Sequence, residues 1–195
     1  PDPVSHFVGE GGILVVRSPQ ETGKTYLAGL LAKQCNNRWP DEAQLAPTHR
    51  VALVRNLAGR LDYQTYDVDP TGSRVATTLD SICRIPSFTT GQNGILTDRR
   101  FSFVLLDEVS QLLRHAVGGT IGSDAPRVLS HLRSILSSAR YIVAMDADAD
   151  DNVVEILQRL APKREIVIVD NEWRPNDRKA VMYDKRQAHL ADFIH

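Results

Sequence analysis

Short, continuously apolar runs alternate along the chain with segments whose apolar residues recur every three or four positions. The first pattern predicts strands buried on both faces, and the second predicts amphipathic helices. Strands are predicted at 12–18, 44–48, 63–66, 74–77, 101–106, 141–145 and 165–169. Helical segments are predicted at 24–36, 49–61, 78–85, 109–115, 125–138 and 152–160. Strands that alternate with helices require crossover connections, so we expect an α/β fold of three layers with a mostly parallel central sheet.

Two segments lie outside this alternation. The segment 89–100 contains glycine and many polar residues, and we expect a surface loop there. The segment 179–183 is apolar enough to form a strand that begins another unit. The chain begins at Pro1 without methionine and ends at His195 inside a helix-like pattern, so we expect a piece of a longer protein.

Composition narrows the class of protein. The 23 Lys and Arg residues nearly balance the 24 Asp and Glu residues, which excludes a uniformly basic, histone-like protein but permits a local patch for nucleic acid. Only two cysteines are present, which excludes a disulfide framework and a four-cysteine zinc site. We therefore expect an intracellular protein, either cytoplasmic or, for a viral or eukaryotic origin, nuclear. No apolar run approaches the length of a membrane span, and no membrane partner is expected.

The strongest chemical signal is the phosphate loop, which we define as residues 18–25 (SPQETGKT), between the first predicted strand and the first predicted helix. A phosphate-binding loop curls backbone N–H groups around an anion at the positive end of a helix. In this pattern Gly23 supplies a permissive backbone, Lys24 reaches the phosphates and Thr25 ligates Mg²⁺. The predicted ATP-binding residues are Gln20, Glu21, Thr22, Gly23, Lys24, Thr25 and Tyr26.

The loop departs from the usual pattern at two positions. Ser18 stands where the first glycine is usual, and Glu21 replaces a second glycine found in many such loops. A carboxylate near three phosphates is repulsive unless it points to solvent or to the metal. The alternative interpretation is a helix that Thr22 caps, with a lysine nearby.

A second signal is the apolar strand at 101–106, which ends in two carboxylates. Asp107 and Glu108 would lie at the carboxyl edge of a parallel sheet, in the same crevice as the phosphate loop. We expect Asp107 to bind Mg²⁺, and Glu108 to orient or deprotonate the water that attacks the γ-phosphate. Lys24, Asp107 and Glu108 are thus the predicted catalytic residues, with Thr25 and Asp107 as metal ligands. The alternative is that the two carboxylates only cap the next helix.

The loop SPQETGKT, the DEVS of 107–110 and the spacing between them resemble the N-terminal RecA-like lobe of superfamily 2 helicases. More narrowly, they resemble viral origin-of-replication-binding proteins and plasmid replication proteins of the cyanobacterial type. The resemblance implies a RecA-like P-loop NTPase lobe at 1–172 with ATP and Mg²⁺, and a linker with the start of a second lobe at 173–195. It also implies two partners: single- or double-stranded DNA, and a second RecA-like lobe that carries the arginine fingers in the same longer chain.

Further site residues follow from the same resemblance. The segments 48–53 and 76–81 resemble those that contact the nucleic-acid backbone, which implies contacts from His49, Arg50, Thr77, Thr78 and Ser81. Asp146 and Asp148 stand where the superfamily couples hydrolysis to lobe movement. The alternatives for these residues are a solvated helix face at 49–55 and helix capping by Thr78 or Asp80. Farther along, Asp150 or Asp151 is expected to cap the helix at 152–160.

The implied function is the motor lobe of a replicative DNA helicase, which would hydrolyse ATP poorly without its second lobe. Two other classes remain open on the sequence alone. A stand-alone P-loop kinase or ATPase would share the phosphate loop but would need an arginine-rich lid, and no clear lid is found. A degenerate nucleotide fold that serves as a scaffold is the third class, for which Glu21 is the main argument.

Overall fold

The computed structural model describes residues 3–90 and 95–171, and these form an α/β fold around one large sheet. The strands are β1 (Gly12–Arg17), β2 (Ala43–Thr48), β3 (Gln64–Thr65), β4 (Arg74–Thr78), β5 (Phe88–Thr90), β6 (Leu96–Asp98), β7 (Phe101–Asp107), β8 (Ala139–Asp146) and β9 (Ile166–Asp170). The α-helices are α1 (Pro3–Glu10), α2 (Lys24–Arg38), α3 (Val51–Leu61), α4 (Val109–Val117), α5 (Ala125–Ser138) and α6 (Asp151–Leu160). Two 3₁₀ segments, Leu79–Arg84 and Gly122–Asp124, complete the described elements.

The large sheet has seven strands in the order β3-β4-β2-β7-β8-β1-β9, and every adjacent pair is parallel. The prediction of an α/β fold with a mostly parallel central sheet is therefore confirmed. Parallel pairing places the carboxyl ends of all the strands at one edge. The chain segments that leave β4, β2, β7, β8 and β1 consequently meet at that edge, which is where the candidate site lies.

Helices cover both faces of the sheet and divide the core into two clusters. One face packs on α1, α2 and α3, and the other packs on α4, α5, α6 and the 3₁₀ segment Leu79–Arg84. Alternate residues of β1 enter opposite clusters: Ile13 and Val15 face one layer, whereas Leu14 and Val16 face the other. Burial on both faces explains why the central strands are continuously apolar in sequence.

The predicted elements agree closely with these bounds in the central strands and the α-helices. α3 begins at Val51 rather than at residue 49 because Arg50 has extended backbone angles (φ −139°, ψ 141°). The helical segment predicted at 78–85 is a 3₁₀ helix.

Two features of the periphery differ from the sequence analysis. The expectation of a loop at 89–100 was wrong, because β5 and β6 pair there as an antiparallel hairpin. Both hairpin strands are three residues long and exposed, so they carry no burial pattern that the sequence could reveal. α1 was not predicted. The strand expected at 179–183 and the whole linker expected at 173–195 lie outside the described residues.

None of the helices in the described ranges has the length and apolar character needed to cross a membrane.

Candidate functional site

The phosphate loop joins the carboxyl end of β1 to the first residue of α2. Gly23 has left-handed backbone angles (φ 84°, ψ 14°), a conformation that glycine adopts without strain, and α2 begins at Lys24. No side chain caps the start of this helix, because the Thr22 hydroxyl instead donates to the Pro19 carbonyl at 2.8 Å. The alternative in which Thr22 serves as the helix cap is therefore wrong. The start of α2 is left available to an anion.

Lys24 folds back over this loop. Its ammonium donates to the carbonyl oxygens of Ser18 at 2.5 Å and of Pro19 at 2.7 Å. The positive charge thus lies inside the curve of the loop, where its partners are neutral carbonyls. An anion entering the loop would offer this ammonium a stronger, charge-assisted hydrogen bond.

Ser18 has a structural task that a glycine could not perform. Its hydroxyl lies 2.5 Å from the Thr22 hydroxyl and accepts a hydrogen bond from the Asn171 side-chain amide at 3.0 Å. The Ser18 N–H also donates to the Asp146 carbonyl at 3.0 Å. Ser18 therefore ties the two ends of the loop to each other, to the end of β8 and to the residue after β9.

The remaining predicted ATP-binding residues surround this loop. Gln20, Glu21 and Tyr26 are exposed, and Thr25 is half-buried at the start of α2. The Thr25 hydroxyl accepts a long hydrogen bond of 3.4 Å from Arg60 of α3.

Glu21 occupies left-handed backbone (φ 62°), the conformation for which a glycine is usual. The structure thus accounts for the difference from the common pattern: the position retains the glycine conformation although it carries a side chain. Left-handed backbone strains a residue that has a Cβ, and strain of this kind concentrates at functional sites.

We expect Glu21→Gly to relieve the backbone strain and to remove a negative charge from the mouth of the loop. Affinity for an ATP analogue should rise several-fold, in keeping with about 1 kcal/mol for one charge at close range in water. Titration of a fluorescent ATP analogue with Mg²⁺ measures this change. Glu21→Gln separates the charge from the backbone effect, and Glu10→Gln at the end of α1 is a matched control. Unchanged affinity in both Glu21 variants would show that the carboxylate lies away from the phosphates.

Asp107 and Glu108 lie at the end of β7, two strands from β1 along the sheet. Asp107 is half-buried; burial, together with the neighbouring Glu108 carboxylate, raises the pKa of Asp107, whereas Lys24 opposes the increase. Asp107 accepts a hydrogen bond from the Glu108 N–H at 3.2 Å. Glu108 has left-handed backbone (φ 51°, ψ 49°) and immediately precedes α4. The two carboxylates therefore share an edge with Lys24.

These residues fit a magnesium ion of the kind bound together with phosphates. The Asp107 carboxyl is surrounded by the acidic groups of Glu108 and Asp146, and Lys24 is the cation that offsets them. Among the described residues no group of three or more His, Cys, Asp or Glu side chains forms a metal cage. Mg²⁺ at a nucleotide site needs no such cage, because one or two protein ligands suffice and phosphates and waters complete the shell.

Asp146 connects the end of β8 to the start of α4. Its side chain is 8% exposed, and it accepts hydrogen bonds from the N–H of Ser110 at 2.8 Å and from the N–H of Asp148 at 3.1 Å. Asp148 itself is exposed. Asp146 thus binds the first turn of α4, the helix that follows Glu108. A displacement of Asp146 would therefore displace Glu108, and a displacement of Glu108 would displace Asp146. Farther along, Asp150 caps α6 by accepting from the Val153 N–H at 3.0 Å, which confirms the capping prediction.

The residues predicted to contact nucleic acid lie at the same edge but differ in accessibility. Arg50 is exposed immediately before α3, and Ser81 is half-buried in the 3₁₀ segment. Thr77 and Thr78 are buried, and the Thr77 hydroxyl donates to the Thr78 carbonyl at 3.1 Å. The His49 side chain is also buried, with Nε2 3.9 Å from Oε2 of Glu108. The two threonines are therefore little accessible, and Arg50 is the most accessible of the set.

Two residues near the site were not singled out in the sequence. Asn171 contacts Ser18, and Arg60 contacts Thr25. Asn171 lies in a segment that reads as a turn, and Arg60 lies on an ordinary helix face. No local sequence pattern marks either residue as part of the site. The strand order brings Asn171 to the loop, and the packing of α3 brings Arg60 to it.

The parallel sheet brings residues 18–25 after β1 and the acidic pair after β7 to one edge. Solved structures share this fold. The crystal structure of the DUF1998 helicase MrfA bound to DNA matches with a TM-score of 0.57 and 17% identity, over 85% of this chain and 26% of that one. The Pyrococcus furiosus Hef helicase domain matches with a TM-score of 0.56 and 14% identity, over 87% of this chain and 38% of that one. The chain thus spans well under half of either structure.

The chain belongs to the herpes origin of replication binding protein family, whose sequence profile matches residues 61–193. The matched segment includes Asp107, Glu108 and Asp146 and begins after the phosphate loop. A comparison with curated protein sequences finds no match.

Proposed function

We propose that the chain is the ATP-binding motor lobe of a DNA helicase that acts at replication origins and couples ATP hydrolysis to movement on nucleic acid. One observation carries the proposal: Lys24 and the Asp107–Glu108 pair come from distant parts of the chain and meet at one edge of the sheet. Phosphoryl transfer needs this combination of a phosphate clamp, a metal ligand and a group that orients water. Membership of the origin-binding family supports DNA as the partner.

Each residue would act through the contacts described above. Lys24 would exchange its two carbonyl partners for phosphate oxygens, and the N–H groups at the start of α2 would bind the same anion. Thr25 and Asp107 would hold Mg²⁺, which would offset the negative charge of the phosphates. Glu108 would accept a proton from the attacking water or orient that water.

The second lobe and the coupling role are also part of the proposal. We infer that the arginine fingers come from a second RecA-like lobe in the same longer chain. Without that second lobe, the lobe described here would hydrolyse ATP poorly. Asp146 would transmit changes at the phosphates to α4, because it joins Ser18 through its backbone and Ser110 through its side chain. Asp148, which is exposed, would face the moving partner.

DNA would bind across the ends of β2 and β4. Arg50 is exposed at the start of α3, where no side chain caps the helix, so its guanidinium and the helix N–H groups together suit a phosphodiester. A motor needs only such a local strip, which agrees with the net charge of −1.

In a polypeptide that joins this chain to its second lobe, we expect single-stranded DNA to stimulate ATP hydrolysis. Arg50→Ala should require several-fold more DNA for half-maximal stimulation, and the slope of log affinity against log salt should fall by about 0.7, the value for one lost phosphate contact on a single strand. Arg100→Ala is the matched control, because Arg100 is exposed just before β7, at the opposite edge. Steady-state ATPase assays at several salt concentrations provide the measurement. A rate of ATP hydrolysis that does not change when DNA is added would instead favour a stand-alone kinase or ATPase.

A further inference from the structure

His49 is a buried side chain whose hydrogen-bonding capacity is only partly used. Its side chain is 7% exposed, and neither ring nitrogen makes a hydrogen bond of good geometry among the described residues, although the Gln111 side chain acts on the ring as a weaker partner. Buried polar side chains are nearly always hydrogen-bonded, so an unsatisfied imidazole requires an explanation.

The backbone around His49 is a tight turn. Thr48 is fully buried at the end of β2, and its hydroxyl donates to the Arg50 carbonyl at 3.0 Å and accepts from the Arg50 N–H at 3.4 Å. These two contacts make residues 48–50 one unit. A phosphate that binds Arg50 would therefore move His49 with it.

The strand order decides what the imidazole faces. β2 lies beside β7, so the residue after β2 meets the residues after β7. His49 Nε2 lies 3.9 Å from Oε2 of Glu108, which is too long for a hydrogen bond but becomes one after a movement of about 1 Å. The left-handed backbone of Glu108 restricts where its carboxylate can go.

The chemistry of the pair suits an N–H that donates to a carboxylate. Burial lowers the pKa of His49, although Glu108 and Gln111 oppose the decrease, and Arg50 and His115 add to it. A neutral imidazole has one N–H to donate, and a carboxylate is a strong acceptor.

We propose that His49 is a positioning residue for Glu108. When nucleic acid binds the turn 48–50, the imidazole N–H closes the gap to the Glu108 carboxylate and fixes it in the orientation that activates water. The inference rests on the proposed motor function, and it gives His49 a different task from direct contact with DNA.

The test uses the polypeptide with both lobes and compares His49→Ala with His49→Gln, which restores an N–H donor at the reach of Nε2. We expect His49→Ala to lower the DNA-stimulated kcat about tenfold, as expected for one lost charge-assisted hydrogen bond. The basal kcat should fall by much less than the stimulated kcat, the KM for ATP and the Kd for DNA should change little, and His49→Gln should recover most of the stimulation. His6→Ala is a matched control, since His6 also pairs with a glutamate, Glu165, at 2.9 Å but just before β9, at the opposite edge.

Three results would overturn the inference. Stimulation of His49→Ala equal to that of the unaltered protein would show that the pair has no role. Equal loss of basal and stimulated kcat would indicate a merely structural role. If saturating DNA restored the stimulated kcat of His49→Ala, His49 would instead be a direct DNA contact.

The Lys24→Ala variant separates this inference from the proposed function. If Lys24→Ala hydrolyses ATP like the unaltered protein, the motor function fails and the inference fails with it. If Lys24→Ala is inactive while His49→Ala is stimulated normally, only the role of His49 is refuted.

Discussion

Glu108→Gln is expected to reduce the rate of ATP hydrolysis by at least about a hundredfold, the usual contribution of a general base, while ATP still binds. Glutamine has the same size as glutamate but cannot accept a proton from the attacking water. The left-handed backbone at this position should be unaffected, because both residues carry the same side-chain stem. The variant therefore removes chemistry and leaves the geometry in place.

The measurement is phosphate release in a single turnover by the two-lobed polypeptide with saturating ATP and DNA. Glu155→Gln on α6 is a suitable control, because Glu155 is exposed and pairs with Arg159, one turn later on the same helix. Hydrolysis by Glu108→Gln at the rate of this control would assign the water-orienting role to another group. Affinity for the ATP analogue should be similar in both variants.

The central part of the site was predictable because its signals are local. A strand buried on both faces must be continuously apolar, so β7 and β8 are visible in the sequence. The phosphate loop is recognisable because a left-handed glycine, a lysine and a hydroxyl must follow one another at the start of a helix. The parallel sheet then implies that the acidic pair and the loop share an edge.

Contacts that depend on strand order were not predictable. His49 meets Glu108 only because β2 neighbours β7, and no local pattern in either segment records that adjacency. Thr77 and Thr78 were expected to present hydroxyls to nucleic acid, yet both residues are buried. Their role as contacts stays a prediction. The hairpin of β5 and β6 was missed for the opposite reason: it is exposed, so burial leaves no trace in its sequence.

The departures at Ser18 and Glu21 look different once the structure is known. Ser18 anchors the loop through three contacts, and Glu21 adopts the backbone angles of the glycine that it replaces. Both positions thus accompany a loop that is folded around the Lys24 ammonium. Ser18 and Glu21 change the charge and the rigidity at the opening of the loop. The Glu21→Gly variant tests the effect of this change.

Lys24→Ala is expected to weaken binding of Mg²⁺ and ATP by about a hundredfold or more, because it removes charge-assisted hydrogen bonds that contribute about 1.5–3 kcal/mol each. The loss should not come from misfolding. The Lys24 ammonium bonds only loop carbonyls in the described structure, and those carbonyls lie at the half-buried edge of the sheet where water can replace it. Lys33→Ala is the matched control, since Lys33 is exposed on the same helix and lies away from the loop.

Titration of a fluorescent ATP analogue with Mg²⁺ into this chain, into Lys24→Ala and into Lys33→Ala tests the central claim most directly. We predict saturable binding by the unaltered chain and by Lys33→Ala, and no saturation of Lys24→Ala over the same concentration range. Indistinguishable titrations for all three proteins would contradict the phosphate-loop assignment and would favour a nucleotide fold that has become a scaffold.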